Sequence, residues 1–238
     1  MVTQEEVAIR RATASDADQI VEFVVKNIGT TSPINMALEF EENDSRAAYE
    51  AKIRDGISEG LSLVVVDRST QALLGCSIVT KWSRDNSKNF KMPFPETLKS
   101  QLYYNMLNPI AAEFWKLCPK DVNVVARGFV LLLLPEIRGH KIGAQLGNYL
   151  NDSFFEKNGL DGAAGVATSR SNYINSLKKG GVPLVEMEYE DYFNSIGLRF
   201  RNNLPDGTTK CCLMFKPTKK HANFKPAVVK MEVCASKL

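Results

Sequence analysis

The sequence predicts a mixed α/β domain in which helices pack around a central sheet. Two apolar, β-branched runs, 61–67 and 73–81, flank the polar turn Arg68-Ser69-Thr70-Gln71 and read as an antiparallel hairpin. From Val122 to Lys179 the hydrophobic period changes in the order strand, helix, strand, helix. With 238 residues, 44% of them apolar, the chain can bury one sizeable core. The expected organisation is therefore a single domain over 1–238, with 83–120 as an insertion or helical lid.

The elements follow in order. Residues 7–11 alternate as a short strand. Ser15 with Asp18 reads as a capping-box start for a helix whose apolar face is Ile20, Phe23, Val24 and Ile28, with Gly29 as its stop. Pro33 and several carboxylates make 30–43 a loop, of the kind that often borders a substrate, before a helix over 44–59. The polar stretch 83–95 leads into a long helical pattern over 98–117. A strand over 122–134, a helix over 142–157, a small-residue strand over 162–168 and a short helix over 172–179 come next. Runs 182–189 and 210–215 complete the sheet, with a polar turn over 202–208 between the later elements.

Composition removes several function classes. The net charge of +3 comes from thirty basic and twenty-seven acidic residues spread along the chain without basic blocks, which argues against a nucleic-acid partner. Cys76, Cys118, Cys211, Cys212 and Cys234 are odd in number and lack CxxC or zinc-like spacing, so they read as reduced thiols. His140 and His221 are the only histidines, and no metal is expected. The N-terminal residues lack a secretory pattern and the longest apolar run, 129–134, is too short to span a bilayer, so a soluble protein with no membrane partner is expected. Ser236-Lys237-Leu238 has the form of a peroxisomal address, which makes an import receptor an expected partner and the peroxisome, otherwise the cytoplasm, the expected location.

The segment 128–146 carries the most chemical information. It reads as a buried strand, a tight turn and a helix start, and the helix places Ile142, Leu146, Leu150 and Phe154 on one face. Lys157-Asn158-Gly159 supplies a basic last turn and a left-handed stop. The free amides of the first turn then point outward, and small residues at Gly139, Gly143 and Ala144 let an anion approach them closely. Arg138, His140 and Lys141 add positive and polar groups at the same turn, so a phosphate or pyrophosphate fits there. The plainer reading, glycines serving only a tight turn, leaves the clustered cations unexplained.

This segment resembles the signature of the GNAT acyltransferase superfamily: a strand, then an Arg or Gln opening the pattern R-x-x-G-x-G/A, then an apolar helix. Arg138 and Gly143 fall in place, while Lys141 stands where the pattern has its first glycine. The resemblance extends to Ile9-Arg10-Arg11-Ala12-Thr13 with Asp16. Val166-Ala167-Thr168-Ser169, Gly180-Gly181 and Glu188-Tyr189-Glu190-Asp191-Tyr192 look like the invertebrate arylalkylamine N-acetyltransferases. It implies a mostly antiparallel sheet that splays between two neighbouring parallel strands, with acetyl-CoA as co-substrate in the splay. The pantetheine arm would lie on the backbone of Leu131, Leu132 and Leu133. The pyrophosphate would be held at Arg138, Gly139, His140, Lys141, Ile142, Gly143 and Ala144.

The implied reaction is acetyl transfer to a primary amine of a small molecule, first among them an arylalkylamine, by direct attack in a ternary complex. Backbone amides near Leu133 would hold the oxyanion. Ser171 and Tyr173, just after the splaying strand, are the catalytic candidates that could meet the thioester. Family members carry an acid before the proline of the loop after the first helix. Ser32 precedes Pro33 here, which leaves Glu39, Glu41, Glu42 and Asp44 as candidates for the base. Tyr103, Tyr104, Phe114 and Trp115 could line an amine pocket or belong to the core. A second reading, a non-catalytic acyl-CoA-binding module, is favoured by Lys141 and Ser32, and a homodimer is among the assemblies to expect.

Overall fold

The computed structural model describes residues 6–138, 141–200 and 204–232. Gly139, His140, Cys234 and the tripeptide Ser236-Lys237-Leu238 lie outside the described residues.

Strand β1 (Val7–Arg11) leads to a 3-10 turn at Ala14–Asp16 and helix α1 (Ala17–Thr31). The capping box that starts this entry is Thr13 with Asp16, two residues ahead of the expected Ser15. Arg10 grips the Asp16 carboxylate through two 2.8 Å bonds, and the Thr13 amide and hydroxyl donate to the same group. The Arg10 hydrogen bonds, with those from Thr13, hold the Asp16 carboxyl well below the usual carboxylate range. Asp16→Ala is expected to cost about 1–2 kcal/mol, after discounting the solvent-facing part of Arg10, and to lower Tm by about 3–6 °C near pH 7. This contribution is complete above the unfolded pKa of about 4 and is lost as pH falls towards the lower folded value, so melts from pH 5 to pH 2 should converge.

Helix α1 runs through Gly29 and does not stop there. A Cβ at Gly29 would lie 2.7 Å from the Phe40 carbonyl oxygen, so this glycine serves a close backbone approach. The expected loop is largely helical as well, because Pro33 opens the short helix α2 (Pro33–Ala37) at a position where its missing N–H costs nothing. Helix α3 (Glu42–Ser58) follows, capped by Glu41 and Asp44.

Strands β2 (Leu63–Asp67) and β3 (Leu73–Ser83) form the expected hairpin. Helices α4 (Leu98–Ala112) and α5 (Phe114–Leu117) then enter the main core, burying Leu102, Tyr103, Met106, Ile110 and Phe114. Strand β4 (Val124–Leu133) is followed by α6 (Ile142–Tyr149) and α7 (Asp152–Asn158). The single helix expected over 142–157 is thus broken at Leu150, where Asn151 restarts the chain by accepting the Phe154 amide at 2.9 Å.

The remaining elements are β5 (Gly162–Ala167), α8 (Arg170–Lys178), β6 (Val182–Glu188), α9 (Tyr189–Ser195), β7 (Lys210–Pro217) and the two-residue β8 (Val229–Lys230). Helix α9 replaces the last residue of the expected strand 182–189, and β8 was not anticipated. The eight strands among the described residues form one sheet in the order β1-β2-β3-β4-β5-β7-β6-β8. Pairing is antiparallel except at β4–β5 and β6–β8. The core on one face joins α1, α3, α4 and α9 to the sheet, while smaller clusters on the other face hold α6 and α7.

Candidate active site

The site begins where two parallel strands part. Strands β4 and β5 pair only at Ala126 with Ala163 and Arg127 with Ala164. At the next residues the register of β4 against β3 slips, Val79 facing Gly128 and Ile78 facing Val130, so Phe129 is the extra residue of a bulge. A Cβ on Gly165 would sit 3.2 Å from the Gly128 oxygen, which shows how tightly the strands approach before separating. Beyond that point residues 128–133 and 165–168 face each other across a cleft of about 730 Å³. Leu131, Leu132 and Leu133 all line it, and the bulge lies upstream of them at Phe129.

At one end of the cleft the chain turns through Pro135–Ile137 into α6. Lys141 caps this helix at φ 59°, ψ 9°, a left-handed conformation that glycine takes freely and lysine holds at a cost of about 1 kcal/mol. Lys141 therefore has, at the place where the resembled pattern has a glycine, a backbone shape that glycine adopts freely. Arg138, Lys141, Ile142, Gly143 and Ala144 all reach the cleft wall. A Cβ added to Gly143 would meet only Leu133 Cδ1, at 3.5 Å, so the fold itself does not demand glycine there. The space it leaves belongs to the cleft and adjoins the free amides of the helix start.

Charge points the same way. The described wall carries four cations, Arg138, Lys141, Lys179 and Lys216, against one carboxylate, Asp206, an imbalance that suits a polyanion. Arg138 donates to the Leu133 carbonyl at 3.0 Å, which ties the turn to the end of β4. Lys179 donates to the Ala144 carbonyl at 2.7 Å and to Asn148, and Lys216 reaches the Leu150 carbonyl. The start of α8 faces the cleft too, with Ser169 capping it by accepting the Asn172 amide at 3.1 Å and Ser171 exposed beside it.

The opposite end is aromatic and hydroxylic, lined by Thr30, Thr31, Ser32, Tyr49, Tyr103 and Phe129. The carboxylates anticipated as bases are not on this wall. Asp44 accepts the Glu41 amide at 3.0 Å, and Lys99 lies 3.6 Å from Glu41 and 3.7 Å from Asp44. Tyr173 is also absent from the wall, its ring lying 5.6 Å from the Lys210 ammonium on the far side of α8. Of the four aromatic residues singled out in the sequence, Tyr103 lines the cleft, Tyr104 packs on Phe94, and Phe114 and Trp115 stack around Trp82.

Sequence reading missed two cations behind this end. Lys52 on α3 and Arg127 on β4 are half-buried. Lys52 Nζ is 5.3 Å from the ring centres of Tyr49 and Tyr103 and 5.8 Å from that of Phe129. The Arg127 guanidinium stands 4.3 Å from Trp82 and 4.9 Å from Phe129. Burial and the Arg127 charge push Lys52 down to about 7, and burial pushes Arg127 down to about 10. Between pH 7 and 10 the unfolded chain therefore binds a proton that the native state does not, and this site favours folding as pH rises. Lys52→Met, which keeps the packing and removes the charge, is expected to raise Tm by about 3 °C at pH 6 and by much less at pH 9. Paired melts at the two pH values check it.

No protein-family model matches the chain, and no curated protein matches it. Solved structures do. A putative arylalkylamine N-acetyltransferase 7 from the yellow fever mosquito Aedes aegypti superposes with a TM-score of 0.72 at 13% identity, covering 88% of this chain and 86% of that one. Arylalkylamine N-acetyltransferase 2 from the same mosquito gives 0.70 at 12% identity over 89% and 98% of the two chains. The chain has the GNAT fold. A Drosophila melanogaster polyamine N-acetyltransferase shares it, with a TM-score of 0.61 at 11% identity over 88% of this chain and 98% of that one. Within this GNAT fold the parting strands and the turn into α6 are the elements that the signature in 128–146 pointed to. Among the described residues no group of His, Cys, Asp and Glu side chains is placed to hold a metal ion. No described helix is long and apolar enough to cross a membrane.

Proposed function

We propose that the protein is an N-acetyltransferase that moves the acetyl group of acetyl-CoA to the primary amine of a small molecule with an aromatic body. The observation that carries this is the make-up of the cleft wall: four cations and two helix starts, with Arg138 and Lys141 at the start of α6, and an aromatic stretch of Tyr49, Tyr103 and Phe129. Two of the solved structures it resembles are named as arylalkylamine N-acetyltransferases, which supports the same reading.

The residues present fit the co-substrate. The amides opening α6, with Arg138 and Lys141, would hold its pyrophosphate. The cleft-facing backbone of Leu131, Leu132 and Leu133 is not paired with β5, so it would hold an extended amide-bearing arm. Acetyl-CoA supplies an acyl group activated as a thioester. The chain supplies position: the two walls hold donor and acceptor together and displace water between them. Ser171 Oγ, exposed at the start of α8, can give a proton to an atom in mid-cleft. With no carboxylate among the described residues that line the acceptor end, the proton of the incoming amine would leave through water held by the Thr31 and Ser32 hydroxyls.

The test is free-thiol release from acetyl-CoA across aryl, aliphatic and polyamine acceptors with a blank lacking amine, beside a calorimetric titration of CoA. Amine-dependent release supports the transferase. Binding without release would favour an acyl-CoA-binding module, a reading supported by Lys141 at the glycine position and by the acid-free acceptor end. Absence of CoA binding would overturn both.

A further inference from the structure

Of the four cations on the described cleft wall, a pyrophosphate at the start of α6 uses Arg138 and Lys141 and leaves two over. These are Lys179, just past α8, and Lys216, on β7. Both side chains reach α6. The Lys179 stem crosses that helix at Gly147, where an added Cβ would lie 2.7 Å from Lys179 Cδ, and its ammonium donates to the Ala144 carbonyl at 2.7 Å and to Asn148. Lys216 donates to the Leu150 carbonyl. Ala144, Gly147 and Leu150 recur at helical spacing down α6 to its C-cap, and all three are cleft wall. The two ammonium groups therefore touch residues of the wall itself.

Their charges are not cancelled by the protein. An ammonium carries three donors, of which Lys179 spends two and Lys216 one on these oxygens. Neither lies in an ion pair among the described residues. Asp152 is the carboxylate that acts on Lys216, and it accepts the Lys219 amide at 3.2 Å and lies 3.7 Å from the Lys219 ammonium. Burial lowers both lysines below their usual pKa, and the Lys179 charge lowers Lys216 further. Like charges gathered on the wall of a cleft favour an anion inside it. The place of that anion follows from helix geometry. α6 advances 1.5 Å per residue, so the Ala144 and Asn148 oxygens set the Lys179 ammonium roughly one turn, about 5 Å, beyond the amides of the first turn. That is close to the separation of a 5′- and a 3′-phosphate on one ribose.

We infer that Lys179, with Lys216 beside it, forms a second phosphate site, which takes the 3′-phosphomonoester on the ribose of CoA. This rests on the co-substrate reading, which puts the pyrophosphate at the start of α6. A phosphomonoester brings close to two negative charges and three acceptor oxygens, and the unspent donors of the two lysines would hold it by charge-assisted bonds. The consequence is a choice of co-substrate: CoA over its dephospho form.

The experiment is calorimetric titration with CoA and with dephospho-CoA, which differ only by that group. The wild type should bind CoA about tenfold or more tightly, and the advantage should shrink as salt is added. In Lys179→Gln and in Lys216→Gln, two variants whose folding is checked by melting, the ratio should fall towards one while the affinity for dephospho-CoA stays as it was. Lys179→Arg should keep most of the preference. Equal affinities in the wild type, a ratio unmoved in both variants, or the same weakening for both ligands would overturn the site and leave the lysines as straps between α6 and its neighbours. Thiol release from none of the amines, with the preference for CoA intact, would overturn the transferase reading and leave the phosphate site standing. Amine-dependent release with no preference would do the reverse.

Discussion

Gly143→Asp should weaken CoA binding by about a hundredfold or more while leaving Tm unchanged or slightly raised, since about 2.7 kcal/mol of lost phosphate contact is a hundredfold in Kd. Both halves of this result follow from the same geometry. A Cβ at position 143 meets only Leu133 Cδ1, at 3.5 Å, so the side chain enters the cleft and not the core. A carboxylate in the first turn of α6 is favoured by the partial positive charge of the helix start, which protects the fold. That charge is also what a pyrophosphate would use, and the aspartate both fills its space and repels it. Gly143→Ala is the control, expected to cost little in either measurement. Calorimetry with CoA and thermal melts of the three proteins decide it, and an affinity that survived the aspartate would place the phosphates elsewhere.

Phe114→Ala is expected to cost about 3–5 kcal/mol, a fall in Tm of about 10 °C. The ring is fully buried, stacked on Trp82 at 4.9 Å, edge-on to Trp115 at 4.7 Å and to Phe215 at 5.4 Å. It therefore joins α5 to strands β3 and β7, and its loss leaves a cavity that these rigid aromatic neighbours cannot close. Melting and denaturant titration measure the effect. A variant of unchanged stability with a raised acceptor KM would instead return Phe114 to the amine pocket, one of the two roles its sequence position allowed.

Much of the fold is legible in the sequence because it rests on local periodicity. The hairpin of β2 and β3, the strand β4 and the turn into α6 all follow from runs of apolar residues and the small and charged residues between them. Lys141 stands where the resembled pattern has a glycine, and its backbone is left-handed, a shape that glycine takes freely, something that residue identity does not report. The break at Leu150 was hidden for a related reason: Ile142, Leu146, Leu150 and Phe154 keep helical spacing across a point where the chain leaves the helix. Gly29 reads as a helix stop by composition but answers to Phe40, a tertiary neighbour.

The candidate site divides the same way. Arg138, Gly143 and their neighbours lie on one contiguous segment and can be found by reading along it. No motif or spacing singles out Lys52 or Arg127 in the sequence, and only the packing of α3 over β4 brings them to the same aromatic cluster. Tyr173 follows the right strand, but its position on α8 turns it towards Lys210. Helical phase over a few residues, not proximity in sequence, decides which face of the cleft a side chain sees.

The narrow seam between β4 and β5 makes the sheet a pair of leaves. β1–β4 form one and β5–β8 the other, hinged on two residue pairs and overlaid by α4, which touches both α3 and β5. A molecule lodged in the gap touches both leaves and binds only the folded chain, so its occupancy adds to the free energy of unfolding by mass action: about 2.7 kcal/mol at a hundredfold excess over Kd. The lifetime of the folded chain would then rise and fall with the abundance of whatever fills the gap, and the protein would persist where that molecule is plentiful and turn over where it is scarce.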